Sequence, residues 1–370
     1  MKILAVLPEN MLNQSVHHMM EAARMYGKNK FGASFFLDTS MQVFWTIDQP
    51  DYDLIHIHWI EALFDWKIAS LQDIERLGNR LKTLRQQGKK IVITRHNSIP
   101  HRRGVNDTLL YETGFKYADA VFHMGKFSEK EYQQWYGTKK WSKKQTHHFA
   151  PIILFDKLPN TISKKVARQK LGLKPSNFVF MVLGSIRNYK ERNLLEQMAK
   201  EINKREEILC VAQWPFYGRH LGLRQFRQLK MRLKYPMHHF WAARTIEDKD
   251  MQVYLNASDV LISPRVNSLN SGLVALGFSF ARTVLGPSIG NINDILLKTG
   301  NATYHPENLI PLREALNKAK ILAKSGKGEE NLKFAQKEWS WEKVGQLHVE
   351  AYEKIYRRSV PPPHQNVGGR

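Results

Sequence analysis

The chain holds a single cysteine, Cys210, among 370 residues. One thiol can close no disulfide within the chain and cannot build a cysteine-ligated metal cluster. That fits a reducing compartment. Long apolar runs are also missing, since no stretch approaches the roughly 18 apolar residues of a membrane-spanning helix. The opening MKILAVLP is too short for a signal peptide and has no small-residue cleavage site. It reads as a first β-strand, and the chain is expected neither to be secreted by that route nor to be integral to a membrane. Short internal repeats are absent. Acidic residues are scarce, 34 against 56 basic ones, for a net charge of +22. An excess of that size implies a polyanionic partner, namely nucleic acid, anionic lipid headgroups or nucleotide phosphates; the plain alternative is a generally basic solvated surface.

The chain does have enough apolar residues, 42%, to bury real cores, and its length suits two of them. KILAVLP, DLIHIH, KKIVIT (89–94) and ADAVFHM (118–124) read as strands. Between the second and third lies an amphipathic helix with Ile68, Leu71, Ile74, Leu77, Leu81 and Leu84 on one face, ended by Gly88. The polar segment 157–166 then breaks the pattern. A second alternation follows: a short helix at VARQKLGL, strand NFVFMVLG (177–184), helix 191–205 and strand ILCVAQW (208–214). After these come a basic helix near 222–234, HHFWA, a helix near 247–257, DVLISP (259–264), helix 272–281, TVLGP (283–287) and TYHP (303–306). Strands alternating with helices argue parallel sheets covered on both faces. The expected fold class is therefore α/β, with two Rossmann-like domains facing a central cleft. The first spans 1–158 and is completed by the amphipathic C-terminal helix 341–358, which crosses back to it. The second spans 163–340, and the Pro/Gly-rich tail 360–370 is expected to be disordered.

Open α/β sheets bind ligands beyond the carboxyl ends of their strands, and four groups of residues fall there. Arg187 and Lys190 follow NFVFMVLG and precede a helix. A planar guanidinium fork and a point charge together neutralise a diphosphate, although an exposed basic loop reads the same way. Asn270, Ser271 and Gly272 open the next helix, where Ser caps and Gly lets a phosphate approach; an ordinary cap is the plainer account. His56, His58, Trp59 and Glu61 close the second strand, and the Glu61 carboxylate offers a general base. His96, Asn97 and His101 follow the third strand among Arg95, Arg102 and Arg103. These spacings place no third ligand for a metal. Trp214 and Arg244 are further candidates for a nucleotide pocket, against the simpler readings of a core tryptophan and a surface arginine.

HIHWIE (56–61), RHN followed by PH (95–101), GSIRNYK (184–190), DVLISP, NSGLVAL with ARTVLGP (270–287) and WSWEKVGQLH (339–348) together resemble the GT-B superfamily of glycosyltransferases over nearly the whole chain. The combination is most similar to the β-mannosyltransferases of xanthan-type polysaccharide assembly and to related capsular and exopolysaccharide transferases. The resemblance implies transfer of a hexose, with GDP-mannose favoured, from a nucleoside-diphosphate sugar to a polyprenyl-diphosphate-linked oligosaccharide at the inner face of the cytoplasmic membrane. It gives Arg187 and Lys190 one side of the donor diphosphate and Asn270, Ser271 and Gly272 the other. It puts His96 near the sugar or acceptor and makes Glu61 the base. His58, Trp59, Asn97, His101 and His148 belong with the acceptor side. The chain departs from the pattern at Ile60, where relatives carry proline, at Arg95, where they carry a small apolar residue, and at His148-Phe149-Ala150-Pro151, which keeps only the histidine of a His-Gly-x-Tyr segment.

Retaining members carry two glutamates near the helix start, and the corresponding positions here are Leu269 and Gly277. Their loss favours an inverting, metal-independent transferase with no cofactor beyond the donor. In it Glu61 deprotonates the acceptor, and Arg187 and Lys190 meet the departing diphosphate. A retaining transferase using another donor and a sugar-nucleotide epimerase stay open. Segment 126–148 has six lysines, among them Lys139, Lys140, Lys143 and Lys144, interleaved with Trp135, Tyr136 and Trp141. It reads as a peripheral surface for anionic membrane. In a basic nucleic-acid-binding protein, the rival of another class, the same segment would stack bases. The basic helix near 222–234 carries an apolar stripe of Leu223, Phe226, Leu229 and Leu233, read as core packing.

Overall fold

The computed structural model describes residues 1–8, 14–46, 51–100, 104–202, 206–216, 221–243, 245–308 and 311–357. The chain divides into two units, Met1–Ile153 with Ser340–Arg370, and Leu154–Trp339. The first division falls just before the polar 157–166 segment. The expected disordered tail, 360–370, lies outside the described residues.

The first unit is a parallel sheet of six strands: β1 (Lys2–Val6), β2 (Phe36–Thr39), β3 (Leu54–Ile57), β4 (Lys90–Thr94), β5 (Ala120–His123) and β6 (Thr146–Phe149). Their spatial order is β2-β1-β3-β4-β5-β6, with Ile3 opposite Leu54 and Val92 opposite Ala120. Side chains alternate between two buried faces, which is why the inner strands read as unbroken apolar runs. Ile3, Ala5, Leu54, Val92 and Phe122 point to one face, where the helices Ser15–Phe31 and Trp341–Arg357 cover them. Gly345 lets these two helices meet, because a Cβ there would stand 2.4 Å from the Ala22 carbonyl oxygen. Leu4, Val6, Ile55, Ile91 and Val121 point to the other face, under the helices Leu71–Gln86, Asp107–Tyr117 and Lys126–Tyr136.

The Leu71–Gln86 helix begins at a capping box in which Ser70 and Asp73 satisfy each other's backbone amides. Ile74, Leu77, Leu81 and Leu84 are buried as expected. Ile68 and Leu71 are not: one precedes the cap, the other is the first helical residue, and both are exposed.

The second unit repeats the plan with β7 (Phe178–Val182), β8 (Glu207–Val211), β9 (His239–Phe240), β10 (Val260–Ile262), β11 (Thr283–Pro287) and β12 (Ala302–Tyr304). All pair in parallel, in the order β12-β11-β10-β7-β8-β9. From β7 the chain runs outward to β8 and β9, then returns to β10 on the other side. The switch point therefore lies between β7 and β10, and its counterpart in the first unit lies between β1 and β3. Crevices for ligands open at such points, beyond the carboxyl ends of the strands.

One expectation fails in this unit. The Leu221–Lys234 helix does not bury its apolar stripe. Arg224, Gln228 and Met231 face the protein, half-buried, and Leu223, Phe226, Leu229 and Leu233 lie exposed. Spacing of three and four residues defines a helix face, but it does not say which face meets the protein.

Candidate functional site

In the second unit, the loop from Gly184 to Asn188 leaves the end of β7 and enters the Tyr189–Glu201 helix. Asn188 caps that helix, its Oδ1 accepting from the Glu191 amide at 3.0 Å. Glu191 is buried beneath the loop, where Oε2 accepts from the Arg187 amide at 2.8 Å and from Arg265 Nη1 at 2.8 Å. Arg265 follows β10 and also donates to the Ser185 carbonyl at 3.1 Å. Tyr304 Oη donates to the carbonyls of Ser263 and Arg265 from the end of β12. A buried ion pair and a tyrosine therefore fix the loop that carries Arg187 and Lys190, and both of those side chains are exposed. The Arg187 guanidinium is drawn down to about 10, first by the crowding of neighbouring atoms and then by the Arg265 charge. It stays a cation near neutrality, ready for an anionic ligand.

Across the switch point, Ser271 occupies the N-cap position of the Gly272–Ser279 helix, but its side chain does not cap. Its hydroxyl lies 3.0 Å from that of Ser263 instead, which corrects the simple cap read from the sequence. Asn270 is held by Asn291, whose Nδ2 donates to Asn270 Oδ1 at 2.8 Å. Leu269 is buried at 4% exposure, and its carbonyl accepts from the Asn291 amide. Gly277 faces the sheet, where a Cβ would meet Val284 Cγ2 at 2.6 Å and Leu261 Cδ2 at 3.1 Å. Packing thus encloses both Leu269 and Gly277, the positions set by the motif resemblance against a pair of glutamates.

In the first unit, the ends of β3 and β4 gather most of the other candidates. Glu61 starts a short 3-10 turn and is 4% exposed. Asn97 Nδ2 donates to its Oε1 at 2.9 Å and Tyr111 Oη to its Oε2 at 2.8 Å. Burial raises the carboxyl above its ordinary range, opposed by hydrogen bonds from its own backbone, Tyr111 and Asn97. His58 Nδ1 lies 3.1 Å from His96 Nε2, and Trp59 stacks on the His96 ring at 4.1 Å between centroids. His56 is pinned on both nitrogens, to Tyr352 Oη at 2.6 Å and Thr94 Oγ1 at 2.7 Å. It is a structural histidine that ties the C-terminal helix to β3. Burial, followed by neighbouring histidines, pushes His56 and His58 well down and His96 to about 3, so these rings are neutral. His148 sits apart on the edge strand β6, bonded to Thr146 Oγ1 at 2.9 Å and packed on Phe122. His101, Arg102, Arg103 and Arg244 lie outside the described residues. Trp214 is buried against Phe240, as the plainer reading has it.

Arg95, read as one of the basic residues after the third strand and as a departure from the pattern, is buried and anchors the Lys126–Tyr136 helix. It donates to the Ser128 carbonyl at 2.8 Å, pairs with Glu131 and lies under Trp135. This helix also limits the proposed membrane segment. Tyr136 is buried in the core, Trp141 packs against it, and Lys139 pairs with Glu112 at 2.8 Å. Of the residues expected at that surface, Lys139, Lys140, Lys143 and Lys144 are exposed together with Trp135, while Tyr136 is buried and Trp141 half-buried.

Sequence reasoning missed Arg265, Glu191, Tyr111 and Tyr304. Arg265 stood at the carboxyl end of β10, the place where ligand-handling residues are sought, which was the available signal. The other three carried none. Among the described residues, no three His, Cys, Asp or Glu side chains are grouped so as to hold a metal, and no helix is long and apolar enough to cross a membrane.

No protein-family model matches the chain, and no curated protein matches it in sequence. Solved structures do match. A sucrose-phosphate synthase from Thermosynechococcus elongatus superposes with a TM-score of 0.67 at 15% identity, covering 97% of this chain and all of that one. HepE from Anabaena in complex with UDP-glucose gives 0.68 at 13% identity, covering 95% and 99%. WaaG, a glycosyltransferase involved in lipopolysaccharide biosynthesis, gives 0.57 at 14% identity, covering 96% and 99%. The chain therefore has the fold of these proteins over nearly its whole length, two parallel six-stranded sheets with flanking helices, as the motifs led us to expect.

Proposed function

We propose that the chain is a glycosyltransferase that moves a hexose from a nucleoside-diphosphate sugar to a lipid-linked oligosaccharide. The observation that carries this reading is the pairing, on either side of the second unit's switch point, of the Arg187–Lys190 loop with the helix start at Ser271 and Gly272. A rigid loop presents two cations, and the facing helix presents its amino end. Both favour an anion, and a diphosphate uses both. HepE was solved with UDP-glucose and WaaG is described as acting in lipopolysaccharide biosynthesis, which supports the donor class and a lipid-linked acceptor. Motif resemblance favours GDP-mannose as the donor.

The transfer is inverting and needs no metal. The buried carboxylate of Glu61 removes the acceptor hydroxyl proton as that oxygen attacks the anomeric carbon. The bond from that carbon to the diphosphate breaks, and Arg187 and Lys190 take up the charge on the leaving oxygens. Burial raises the basicity of Glu61, and the three hydrogen bonds its carboxylate accepts leave a lone pair for the acceptor proton. The closed positions at Leu269 and Gly277 support inversion over retention. The enzyme works at the inner face of the cytoplasmic membrane.

A thermal-shift panel of GDP-mannose, UDP-glucose and UDP-glucuronate tests the donor class. A ligand at a hundred times its Kd stabilises the native state by about 2.7 kcal/mol, a shift of several degrees. Selective stabilisation by one donor, lost in Arg187→Ala, is expected. No shift with any donor overturns the reading.

A further inference from the structure

We propose that the outer face of the Leu221–Lys234 helix, with the cavity beside it, docks on an anionic lipid bilayer. The helix LGLRQFRQLKMRLK holds five cations and no carboxylate. Its apolar residues are turned away from the protein, with Phe226 62% exposed and Leu233 74% exposed, alongside Leu223 and Leu229. Arg227, Lys230 and Lys234 form a second row beside them, at spacings of three and four. An interfacial helix has this composition: an apolar face for the acyl boundary, cations for the headgroups and low net hydrophobicity.

The cavity supplies an independent observation. It has a volume of about 480 Å³ and is lined by Arg192, Arg227, Lys230 and Lys234, with Trp214 and Phe216. Among the described residues of its wall Glu196 is the one carboxylate, and it is already paired with Lys234 at 2.6 Å. Arg192 Nε is buried without a hydrogen-bond partner among the described residues. A cationic recess beside an apolar row fits a lipid phosphate whose acyl chains lie along the helix.

The surface itself separates the possible occupants. A second copy of the chain meeting this face through a two-fold axis sets five cations against five. A nucleic acid finds one aromatic ring, Phe226, on a row otherwise made of leucines, and stacking needs aromatics. Hydrocarbon favours leucine, and anionic headgroups favour the flanking row. This surface belongs to the second unit, whereas the 126–148 segment belongs to the first.

The test is sedimentation of the full chain with vesicles of phosphatidylcholine and phosphatidylglycerol (3:1) and with pure phosphatidylcholine at low salt. Wild type is expected to bind the anionic vesicles and to be released by salt. Phe226→Gln/Leu229→Gln/Leu233→Gln and Arg227→Glu/Lys230→Glu are each expected to lose about tenfold or more in partitioning, at unchanged melting temperature. Lys140→Glu/Lys143→Glu/Lys144→Glu is expected to bind as wild type does. Failure of wild type to sediment with anionic vesicles overturns the proposal, as does wild-type binding by both helix variants. A wild-type dimer that the glutamine variant dissolves, with no vesicle binding, assigns the face to a second copy. The proposal does not depend on the donor chemistry: loss of vesicle binding with donor stabilisation intact defeats this inference alone.

Discussion

Arg265 Nη1 donates to the buried carboxylate of Glu191 across 2.8 Å and 74 positions of sequence. Arg265 lies in the loop after β10, and Glu191 in the first turn of the Tyr189–Glu201 helix. The pair fixes the backbone from which Arg187 and Lys190 project.

Replacing one partner leaves the other charge buried and alone. Arg265→Met is therefore expected to destabilise the second unit by about 3 kcal/mol or more, read from denaturant unfolding. The double variant Arg265→Met/Glu191→Met removes both charges and is expected to recover part of that loss. Donor stabilisation is expected to fall in both, because the loop has lost its anchor. Normal donor binding in the double variant assigns the pair to stability only.

Gly277 offers a second test, because packing rather than chemistry excludes a side chain there. A Cβ would stand 2.6 Å from Val284 Cγ2 in a fully buried layer. Gly277→Ala is expected to cost about 1–3 kcal/mol by overpacking. Gly277→Glu, which restores the carboxylate of the retaining pattern, is expected to lose the fold of the second unit. A stable Gly277→Glu variant with a bound donor contradicts the closed position and reopens retention.

The strands that lie under helices on both faces are legible in the sequence, because ILAV, IVIT and FVFMV have no polar side to disguise them. The edge strand β2, FLDT, and the edge strand β6, THHF, are not legible: a partly solvated strand needs no unbroken apolar run. Candidate residues are legible where they follow a strand at its carboxyl end, as Arg187, Glu61 and His96 do. Their supports are not, since Tyr111 meets Glu61 from 50 positions away and Glu191 meets Arg265 from 74. The stripe on the Leu221–Lys234 helix shows a third limit. Its period is that of a core helix, and what the period cannot encode is the rotation that puts Arg224, Gln228 and Met231 inward.

Glu61→Gln keeps the shape of the side chain and removes the base. The variant is expected to melt near wild type, because the amide oxygen still accepts one bond and Tyr111 accepts from the amide nitrogen. Its turnover is expected to fall by about 10² to 10⁴ with donor stabilisation unchanged. Turnover near wild type removes Glu61 as the base and leaves it as the brace for Asn97 and Tyr111. NMR of the product linkage decides the stereochemistry separately, and retention of the donor's anomeric configuration defeats inversion.

The buried histidines set how the first unit responds to acid. His56, His58, His96 and His348 are all depressed, chiefly by burial, with His96 near 3 and His348 near 4 against an unfolded value of 6.5. Above pH 6.5 both states are neutral and these groups contribute nothing. Below it the unfolded chain takes up protons that the folded unit refuses, so stability is lost as pH falls. Each histidine costs about 1.4 kcal/mol per pH unit across its window. Glu61 acts in the opposite sense, because its raised carboxyl relieves the fold on protonation, but it is one group against these four histidines and against His123 and His147, which burial also depresses. The melting temperature of the first unit is therefore expected to drop steadily from pH 6.5 to 4. His348 packs on Phe122, and its Nε2 has no partner among the described residues. His348→Leu is accordingly expected to fold and to flatten the slope by about 1.4 kcal/mol per pH unit between pH 6.5 and 4. A slope unchanged in that variant means that His348 is not a source of the acid sensitivity.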